Sequence, residues 1–361
     1  MVIGVLGGGQ LGRMLALAGI PLGLTFRFFD PAPECVAADV GLHTRAAWDD
    51  RDALRTFAAS VDVVTYEFEN VPTETVAFLA VLVKVAPGVA ALTHGQDRIA
   101  EKDFFVAQGL SVHPYRAAST LEELHAAVAA IGAPCVAKTR RMGYDGKGQA
   151  VVKSAADVDA AWEMLQHQPL LVEQFVPFES EASIIGVRGG DGAMRTYPMA
   201  RNVHRGGILR VSTAPADNVG DELAAAAERH MRAVLTALDY VGVMAIEFFV
   251  SGGKLLTNEM APRVHNSGHW TIEGSVTSQF ENHVRAIAGL PLGETGMRAG
   301  PCVMVNIIGQ RPDAAALLAV PGLHLHDYAK AAKPGRKVAH VTLMPVPVGW
   351  EQIPAVSTIL A

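Results

Sequence analysis

Two glutamates in one predicted β-hairpin are the first residues whose types and spacing suggest chemistry. Two apolar runs, residues 243–250 and 254–260, flank a Ser-Gly-Gly turn, and each carries one carboxylate where an apolar residue would be expected. A three-residue turn would set Glu247 directly opposite Glu259. A two-residue turn would pair Glu247 with Asn258 and leave Glu259 one position off. The spacing therefore predicts a close pair of carboxylates and leaves their register open.

Facing carboxylates in a half-buried hairpin need a positive charge between them, because they repel each other and lose hydration. Mg²⁺ suits such a pair, since it takes one or two carboxylates and fills its other positions with water and phosphate oxygens. The alternative is that both glutamates lie on the solvated face of an edge strand. The loop after Glu259 favours the metal and predicts a phosphoryl-transfer site. It brings together anion-binding and proton-handling side chains: Arg263, His265, Asn266, Ser267 and His269.

A glycine-rich loop indicates a place for phosphates. Lys138 ends a predicted strand that leads into residues 143–148, GYDGKG. Such a loop lets backbone N–H groups approach phosphate oxygens, and a lysine adds a point charge. The alternative is an ordinary hairpin, because Asp-Gly is a favoured turn dipeptide. Glu173 ends a later strand and could accept ribose hydroxyls, while residues 174–176 could read an adenine edge. Together these features favour a nucleotide site.

The N-terminus carries a second pattern that is typical of nucleotide binding. Strand 2–6 runs into G-x-G-x-x-G, a helix follows, and a strand over 25–29 ends at Asp30. Alone, this βαβ unit is the fingerprint of dinucleotide binding. It leaves open an NAD-dependent oxidoreductase that would use Gly7, Gly9, Gly12 and Asp30. That alternative gives no task to the 138–149 loop or to the two hairpin glutamates.

The elements that must position these residues predict a mixed α/β and α+β chain of three domains. An open parallel sheet with covering helices is expected over residues 1–95. Two helices and a small α+β unit follow over 96–178. The segment 179–361 is dominated by alternating strands and contains the glutamate hairpin. A basic loop, AKAAKPGRK, lies between two of its last predicted strands.

Composition excludes several classes of protein. The chain has 361 residues, half of them hydrophobic, and a net charge of −6 without a basic run, which argues against a nucleic-acid surface. Its three cysteines, Cys35, Cys135 and Cys302, lack metal-ligand spacing, so we expect free buried thiols in a reducing cytoplasm. The apolar run over 76–83 is too short to cross a bilayer, and the N-terminus lacks a basic signal-peptide region. We therefore expect a soluble cytoplasmic protein without membrane contact.

The motifs resemble those of the ATP-grasp ligases, and more narrowly those of the 5-(carboxyamino)imidazole ribonucleotide synthetases of purine biosynthesis. They occur in family order along nearly the whole chain: GGGQLGRM (7–14), QDRIAEK (96–102), TRRMGYDGKGQ (139–149), VEQFV (172–176), VGVMAIEFF (241–249), NEMAPRVHNSGHW (258–270) and PGRKVAH (334–340). The resemblance implies an ATP-grasp fold with an N-terminal Rossmann-like (pre-ATP-grasp) domain, a small lid domain and a C-terminal mixed-sheet domain. ATP would lie between the last two domains.

The resemblance also implies residue roles. ATP would be contacted by Arg98, Lys138, Gly143, Tyr144, Asp145, Gly146, Lys147, Gly148, Gln149, Glu173, Gln174, Phe175, Val176, Glu181, His204, Asn258 and Glu259. The acceptor, aminoimidazole ribonucleotide, would be contacted by Gln10, Tyr144, Asp145, His265, Asn266, Ser267, Lys330, Arg336 and Lys337, the last three at its 5′-phosphate. Glu247 and Glu259 would hold Mg²⁺.

The implied reaction is the carboxylation of that acceptor with ATP and bicarbonate, through carboxyphosphate. Four residues are expected to carry it. Arg263 would hold bicarbonate and carboxyphosphate, Lys147 would neutralise phosphate oxygens, and Asp145 or His265 would take the proton of the amine. A homodimer is expected by resemblance alone. The near alternatives are formate-dependent glycinamide ribonucleotide transformylase, whose relatives lack the lid Tyr-Asp pair and the HNSGH run, and biotin carboxylase, whose biotin-site motifs are absent.

Overall fold

The protein is described by a computed structural model over residues 1–143, 147–311 and 313–360. Within these residues the strands form three sheets that follow one another along the chain. Among the described residues, no helix combines the length and the apolar character needed to cross a membrane. The three cysteines are free, with Cys135 and Cys302 buried and Cys35 only half-buried.

The first sheet is parallel and five-stranded, in the order β3-β2-β1-β4-β5. Its central strands carry buried apolar side chains on both faces, as expected of a sheet covered by helices. The apolar run over 61–69 predicts one long strand, but β4 covers only Val63–Tyr66, so Glu67 and Glu69 lie just beyond it, at the carboxyl edge of the sheet. The elements are β1 (Val2–Leu6), α1 (Gln10–Gly19), β2 (Thr25–Phe29), β3 (Leu42–Thr44), α2 (Arg51–Ala58), β4 (Val63–Tyr66), α3 (Thr73–Ala80) and β5 (Lys84–Val85).

Glu67 fills the glycine-rich loop that suggested a dinucleotide site. The carboxylate of Glu67 accepts hydrogen bonds from the backbone N–H groups of Gly9 at 2.9 Å and Gly12 at 3.2 Å. Asp30 is equally engaged, since it accepts from the N–H of Gly8 at 2.7 Å. The chain's own carboxylates thus take the positions that a pyrophosphate and a ribose would need. The structure therefore does not favour the alternative interpretation of this loop as an NAD site.

Two helices and a second sheet occupy the middle of the chain. The sheet is four-stranded and antiparallel, in the order β6-β9-β7-β8, and its helices cover one apolar face. The second glycine-rich loop, which contains residues 143–148, joins the adjacent strands β7 and β8, as the sequence predicts. The elements are α4 (Val89–Gly95), α5 (Arg98–Ala107), β6 (Tyr115–Ala118), α6 (Leu121–Ile131), β7 (Cys135–Thr139), β8 (Gln149–Val152), α7 (Val158–Met164) and β9 (Leu170–Gln174).

The third sheet has nine strands, in the order β15-β14-β10-β12-β13-β16-β18-β17, with β11 paired to β10. The sequence pattern over 195–204 predicts a single strand, but the structure interrupts it to give β11 and β12, and no strand was expected at the position of β17. The elements are β10 (Ser180–Arg188), β11 (Met194–Thr196), β12 (Ala200–Arg205), β13 (Ile208–Ala214), α8 (Asp221–Ala237), β14 (Gly242–Ser251), β15 (Lys254–Ala261), α9 (Thr271–Gly274), α10 (Gln279–Ala288), β16 (Cys302–Ile308), α11 (Ala314–Leu318), β17 (Leu323–Asp327), β18 (Lys337–Leu343) and α12 (Pro354–Leu360).

The hairpin of β14 and β15 has a two-residue turn and also a β-bulge. Gly252 and Gly253 both adopt positive φ, at +56° and +69°, which a tight hairpin turn requires. This turn alone would pair Glu247 with Asn258. A register shift beside Glu247 leaves Asn258 as the extra residue, and Glu247 then lies opposite Glu259. The carboxylates therefore face each other, although the turn is the shorter of the two considered.

The N-terminal sheet is tied to the third sheet through α10. Buried His283 accepts a hydrogen bond at Nδ1 from the N–H of Val243 at 3.1 Å. Its Nε2 lies 2.9 Å from the hydroxyl of Thr65 in β4. Lys84 donates to the carbonyl of Ile287 at 3.1 Å, and α1 packs along α10. These contacts hold the carboxyl edge of the first sheet against the glutamate hairpin.

Candidate active site

A cleft of about 1080 Å³ lies where the three sheets meet. Most of the predicted site residues in the described part of the chain line this cleft: Gln10, Arg98, Lys138, Gly143, Lys147, Gln149, Glu173, Gln174, Phe175, Val176, Glu181, His204, Glu247, Asn258, Glu259, Arg263, His265, Asn266, Lys330, Arg336 and Lys337. These residues come from distant parts of the chain. Their convergence on one cavity is the main structural finding about function.

The other five predicted site residues either do not line the cleft or lie outside the described residues. Gly148 closes the loop between β7 and β8 by accepting a hydrogen bond from Thr139, at 2.8 Å, and its φ of +71° favours glycine. Ser267 is fully buried behind His265. Neither is among the residues that line the cleft. Tyr144, Asp145 and Gly146 lie outside the described residues.

The facing carboxylates differ in their environments. Burial and the charge of Glu259 raise the pKa of Glu247 to about 7. Burial also disfavours ionisation of Glu259, but the charges of Arg98 and Lys138 outweigh it, and the pKa of Glu259 lies below its usual value. Arg98 donates to Glu259 at 3.2 Å and to the carbonyl of Gly143 at 3.4 Å. The nearby cations thus compensate the charge of Glu259 more fully than that of Glu247.

Two lysines flank the buried carboxylate of Glu173. Lys138 forms an ion pair with Glu173, and Lys102 lies 3.5 Å from the second oxygen of Glu173. Burial opposes ionisation, but these charges lower the pKa of Glu173 to about 2. Lys102 also donates to the carbonyls of Thr257 at 3.2 Å and Asn258 at 2.8 Å. The β-bulge residue is therefore held by a buried lysine of α5.

His204 and Glu181 form a pair on neighbouring strands. Nδ1 of His204 lies 2.7 Å from a carboxylate oxygen of Glu181. Burial alone would lower the pKa of His204, but the hydrogen bond to Glu181 and the nearby charge of Glu247 raise it. Because β12 and β14 both pair with β10, this couple lies on the same sheet as the glutamate hairpin.

The N-terminal unit contributes two contacts to the cleft. Glu69, just beyond β4, forms an ion pair with Arg263. Gln10, at the start of α1, accepts a hydrogen bond from Lys330 at 2.7 Å. Both partners come from the third sheet or its connecting loops. The cleft is therefore completed by the first sheet as well as by the other two.

His265 is held in one orientation. Its Nδ1 accepts from the backbone N–H of Ser267 at 3.3 Å and lies 2.9 Å from the Ser267 hydroxyl. Burial and the charge of Arg263 hold the pKa of His265 well below its usual value, so the ring is neutral at pH 7. With Nδ1 accepting, the ring hydrogen lies on Nε2, which points toward Glu247 at 3.6 Å. His265 therefore presents a donor to the cleft.

A buried chain of hydroxyl and amide groups supports His265 from behind. Ser183 donates to the hydroxyl of Ser267 at 2.8 Å, and Asn202 donates to Ser183 at 3.0 Å. Ser212 then donates to the side-chain oxygen of Asn202 at 2.7 Å. Each group lies on a different segment of the third sheet or its loops. The chain fixes Ser267, and through it the ring of His265.

The C-terminal segment brings the remaining predicted residues to the cleft. Asn266 and Asn306 exchange hydrogen bonds between their amides, at 2.7 and 3.0 Å, which anchors the loop to β16. Arg336 is half-buried and donates to the carbonyl of Ala331 at 3.2 Å. Lys330, Arg336 and Lys337 all line the same cleft. The basic loop of the tail therefore turns these three half-buried side chains toward the cleft, while residues 331–335 between them are exposed.

Sequence reasoning missed several charged or titratable residues near the cleft, among them Glu69, Glu101, Lys102 and His113. Glu101 accepts a hydrogen bond from the N–H of Met260 at 2.7 Å, and burial together with Glu259 raises its pKa to about 8. The motifs that contain Glu101 and Lys102 were visible in the sequence. Nothing in the sequence indicated that these charged side chains turn inward, because their partners are far away along the chain.

The comparisons with known proteins cover most of the chain. Residues 1–96 match the family model of the ribonucleotide synthetase preATP-grasp domain. Residues 103–280 match the ATP-grasp domain, and residues 302–345 match the phosphoribosylaminoimidazole carboxylase C-terminal domain.

Curated and solved relatives are similar over nearly the full length. The N5-carboxyaminoimidazole ribonucleotide synthase of Pseudomonas aeruginosa is 53% identical over 343 residues, which cover 95% of this chain and 94% of that protein. The crystal structure of the N5-carboxyaminoimidazole ribonucleotide synthetase from Thermus thermophilus superposes with a TM-score of 0.94 at 48% identity, covering 99% of this chain and 98% of that one. The Aspergillus clavatus synthase, solved with ADP and 5-aminoimidazole ribonucleotide, gives a TM-score of 0.91 at 33% identity, covering 99% and 98%.

The antiparallel lid sheet, the large third sheet, which is antiparallel and not mixed as the resemblance implied, and the cleft between them are those of an ATP-grasp ligase, an ATP-dependent enzyme. More narrowly, the chain belongs to the N5-carboxyaminoimidazole ribonucleotide synthase family. The resemblance read from the motifs is confirmed, and neither a nicotinamide oxidoreductase nor another ATP-grasp ligase is favoured.

Proposed function

We propose that this chain carries out the reaction of its family, the ATP-dependent carboxylation of 5-aminoimidazole ribonucleotide in purine biosynthesis, with bicarbonate as the source of the carboxyl group. The observation that carries the residue-level proposal is the facing pair Glu247 and Glu259 in a cleft whose lining includes the cationic residues Arg98, Lys138, Arg263, Arg336 and Lys337. Such a cleft suits ATP and a phosphorylated acceptor bound side by side.

The ATP end of the cleft lies between the second and third sheets. We assign adenine and ribose to residues 173–176 and Glu181, and the phosphates to Arg98, Lys138, His204 and the loop containing Gly143 and Lys147. Asn258 lies beside Glu259 and completes this set. Lysine and arginine charges near transferring phosphoryl groups stabilise the charge that develops on their oxygens.

The facing carboxylates fit a magnesium ion. They are oxygen donors, and the pKa of Glu247, raised to about 7 by burial and by Glu259, indicates that the described residues compensate the charge of the pair only in part. Among the described residues, no three His, Cys, Asp or Glu side chains are clustered so that they could hold a metal ion together. Mg²⁺ typically needs only one or two carboxylates when phosphate oxygens complete its coordination. When bound by Glu247 and Glu259, it would neutralise phosphate charge.

Bicarbonate activation is assigned to the region around Arg263. Bicarbonate oxygen would attack the γ-phosphorus of ATP, forming carboxyphosphate as the bond to ADP breaks. Arg263 can hold both anions through its planar guanidinium. Carboxyphosphate would then lose phosphate and release CO₂ beside the exocyclic amine. Closure of the 143–149 loop would keep water from hydrolysing it.

The amine would attack CO₂ and must give up one proton to become the N-carboxylate. His265 already carries its ring hydrogen on Nε2 and is kept neutral, so we place it as a donor to substrate oxygens. Asp145 remains our candidate for the proton acceptor. Ser267 is proposed to act by holding His265, not by touching the substrate.

The tail and the N-terminal loop are assigned to the ribonucleotide. Arg336 offers a fork that matches phosphate oxygens, and Lys330 and Lys337 add charge. Gln10 holds Lys330, and Asn266 extends the polar wall of the cleft. Tyr144 would cover the acceptor from the lid.

Domain division and assembly are also proposals. We divide the chain into residues 1–95, 96–178 and 179–361, since each contains one sheet. By family resemblance we propose a homodimer in the cytoplasm. Light scattering after size-exclusion chromatography would contradict the dimer if the mass equals that of one chain.

One assay tests the reaction and its acceptor together. ADP release is measured with ATP, Mg²⁺ and bicarbonate, and aminoimidazole ribonucleotide is compared with glycinamide ribonucleotide. We expect turnover only with the former, and ¹³C-labelled bicarbonate should appear in the product. Equal turnover with glycinamide ribonucleotide, or ADP release that needs no bicarbonate, would contradict the proposal.

A further inference from the structure

One buried histidine of the cleft takes part in none of the contacts proposed above. His113 immediately precedes Pro114 and β6, lines the cleft, and exposes only 3% of its surface. Within the described residues, neither of its ring nitrogens has a hydrogen-bond partner. A buried polar group without a partner is costly and requires an explanation. Both nitrogens are shielded although the ring lines a cavity, so a ligand in the cleft can supply the partner once the ring turns one of them toward it.

The backbone places His113 beside the segment that we assign to adenine. The carbonyl of the next residue, Pro114, accepts a hydrogen bond from the N–H of Gln174 at 3.0 Å. Tyr115 then pairs with Glu173 in the register of β6 and β9. His113 therefore lies at the end of β9, where residues 173–176 enter the cleft.

The surroundings of His113 suit a flat aromatic base. Its ring packs edge-on against Phe249, with 5.3 Å between centroids, and Phe249 stacks on Phe178 at 4.5 Å. Val136, which is the β-sheet neighbour of Glu173, and Phe175 line the same cleft. Apolar walls with a few placed polar groups are typical of pockets that bind a base.

The charges around His113 keep its ring neutral. Burial, and then the positive charge of Lys102, lower the pKa of His113 to about 4. Glu173 opposes this shift, and Lys138 adds to it. A neutral imidazole has one N–H donor and one acceptor nitrogen. Adenine presents an amino donor beside a ring nitrogen acceptor, so its edge can satisfy either atom.

We propose that His113 accepts a hydrogen bond from the exocyclic amino group of adenine and so contributes to nucleotide affinity. This inference rests on the proposed placement of ATP in the cleft. It adds a base contact from the residue that precedes Pro114 and β6, beside the backbone of residues 174–176. The side chain would bind the base directly and is not required for phosphoryl transfer.

The test uses isothermal titration calorimetry to measure the binding of two nucleotides to the wild type and to three variants. ADP carries the 6-amino group, and purine riboside 5′-diphosphate lacks it. His113→Phe keeps the ring contact with Phe249 and removes both nitrogens, whereas His113→Asn keeps a polar side chain. The matched control is His230→Phe, because His230 packs near Phe248 from α8 and does not line the cleft.

We expect His113→Phe to weaken ADP binding about threefold to tenfold, as for one neutral hydrogen bond. Binding of the analogue should change less than about twofold, and His113→Asn should recover part of the ADP affinity. His230→Phe should bind both nucleotides like the wild type.

The inference about His113 would be overturned if His113→Phe lost equal affinity for ADP and for the analogue, or if its affinity for ADP were unchanged. Either result would leave the proposed nucleotide site intact and an ordered water as the partner of the ring. Failure of the wild-type chain to bind ADP would overturn the proposed nucleotide site as well. Thermal unfolding of each variant shows whether a loss comes from misfolding. If His113→Phe does not fold, His113→Asn with the two nucleotides decides the question.

Discussion

Glu247 and Glu259 lie opposite each other because a β-bulge at Asn258 corrects the register set by a two-residue turn. The bulge residue is held through its carbonyl by buried Lys102. The proposed metal-binding pair thus depends on a lysine of α5, a different element from the hairpin itself.

Glu259→Gln should reduce turnover about a hundredfold or more, since it removes one of two charged ligands of the proposed metal. ADP release under saturating ATP and bicarbonate measures the loss. The matched control is Glu179→Gln, because Glu179 contacts the hairpin turn, where it accepts from Gly252 at 2.9 Å. Near-normal activity of Glu259→Gln at ordinary Mg²⁺ concentration would refute the metal role.

Arg336→Ala should raise the KM for the ribonucleotide about tenfold to a hundredfold, because a charge-assisted contact to phosphate is lost. The KM for ATP should stay nearly the same. Arg311→Ala serves as the control, since Arg311 is exposed and lies 4.0 Å from Asp327, outside the cleft lining. An equal increase in both KM values would show that Arg336 does not distinguish the two substrates.

Much of the fold followed from the sequence because local patterns determine it. Apolar runs and glycine-rich turns predicted the main strands and helices of each sheet, although not short elements such as β3, β5 and β17, and the family motifs predicted residues that now line one cleft. The N-terminal loop left a dinucleotide site open as an alternative for a long-range reason. Its glycines were recognised, but Glu67, which occupies the loop, lies more than fifty residues later along the chain.

The inward charged residues escaped prediction for the same reason. Lys102 stands in an amphipathic helix where a lysine is normally solvated, and its acceptors are the carbonyls of Thr257 and Asn258. The bulge also left no local signal, because Asn258 fits a regular strand equally well. Contacts between distant segments can be identified only from the three-dimensional structure, whereas turns and hydrophobic periodicity can be recognised in the sequence.

Glu67→Ala should lower the free energy of unfolding by about 2 to 4 kcal/mol, because the N–H groups of Gly9 and Gly12 lose their acceptor. Glu67→Gln keeps one acceptor oxygen and should cost less. Urea denaturation measures both variants.

NADH titration followed by fluorescence should show no binding to wild type, and saturable NADH binding by wild type would reopen the dinucleotide interpretation.

His283→Gln should change how stability depends on pH. Burial lowers the pKa of His283 to about 3, while the unfolded histidine titrates near its ordinary value of about 6.5. Below about pH 6.5 the unfolded chain therefore binds a proton that the folded chain rejects. The contribution of His283 to the free energy of unfolding is therefore fully present above about pH 6.5. As the pH decreases from about 6.5 to about 3, the free energy of unfolding of the wild type should fall by about 1.4 kcal/mol per pH unit because of this residue.

The variant lacks that titration. At about pH 7.5 His283→Gln should be less stable than wild type, because its contacts with Thr65 and Val243 are altered. The difference should shrink by about 2 to 3 kcal/mol when urea denaturation is repeated at about pH 4.5. His324→Gln, on the exposed side of β17, is the control and should show no such narrowing. A constant difference between wild type and His283→Gln across this range would mean that His283 is not held neutral at the junction of α10 with the first sheet.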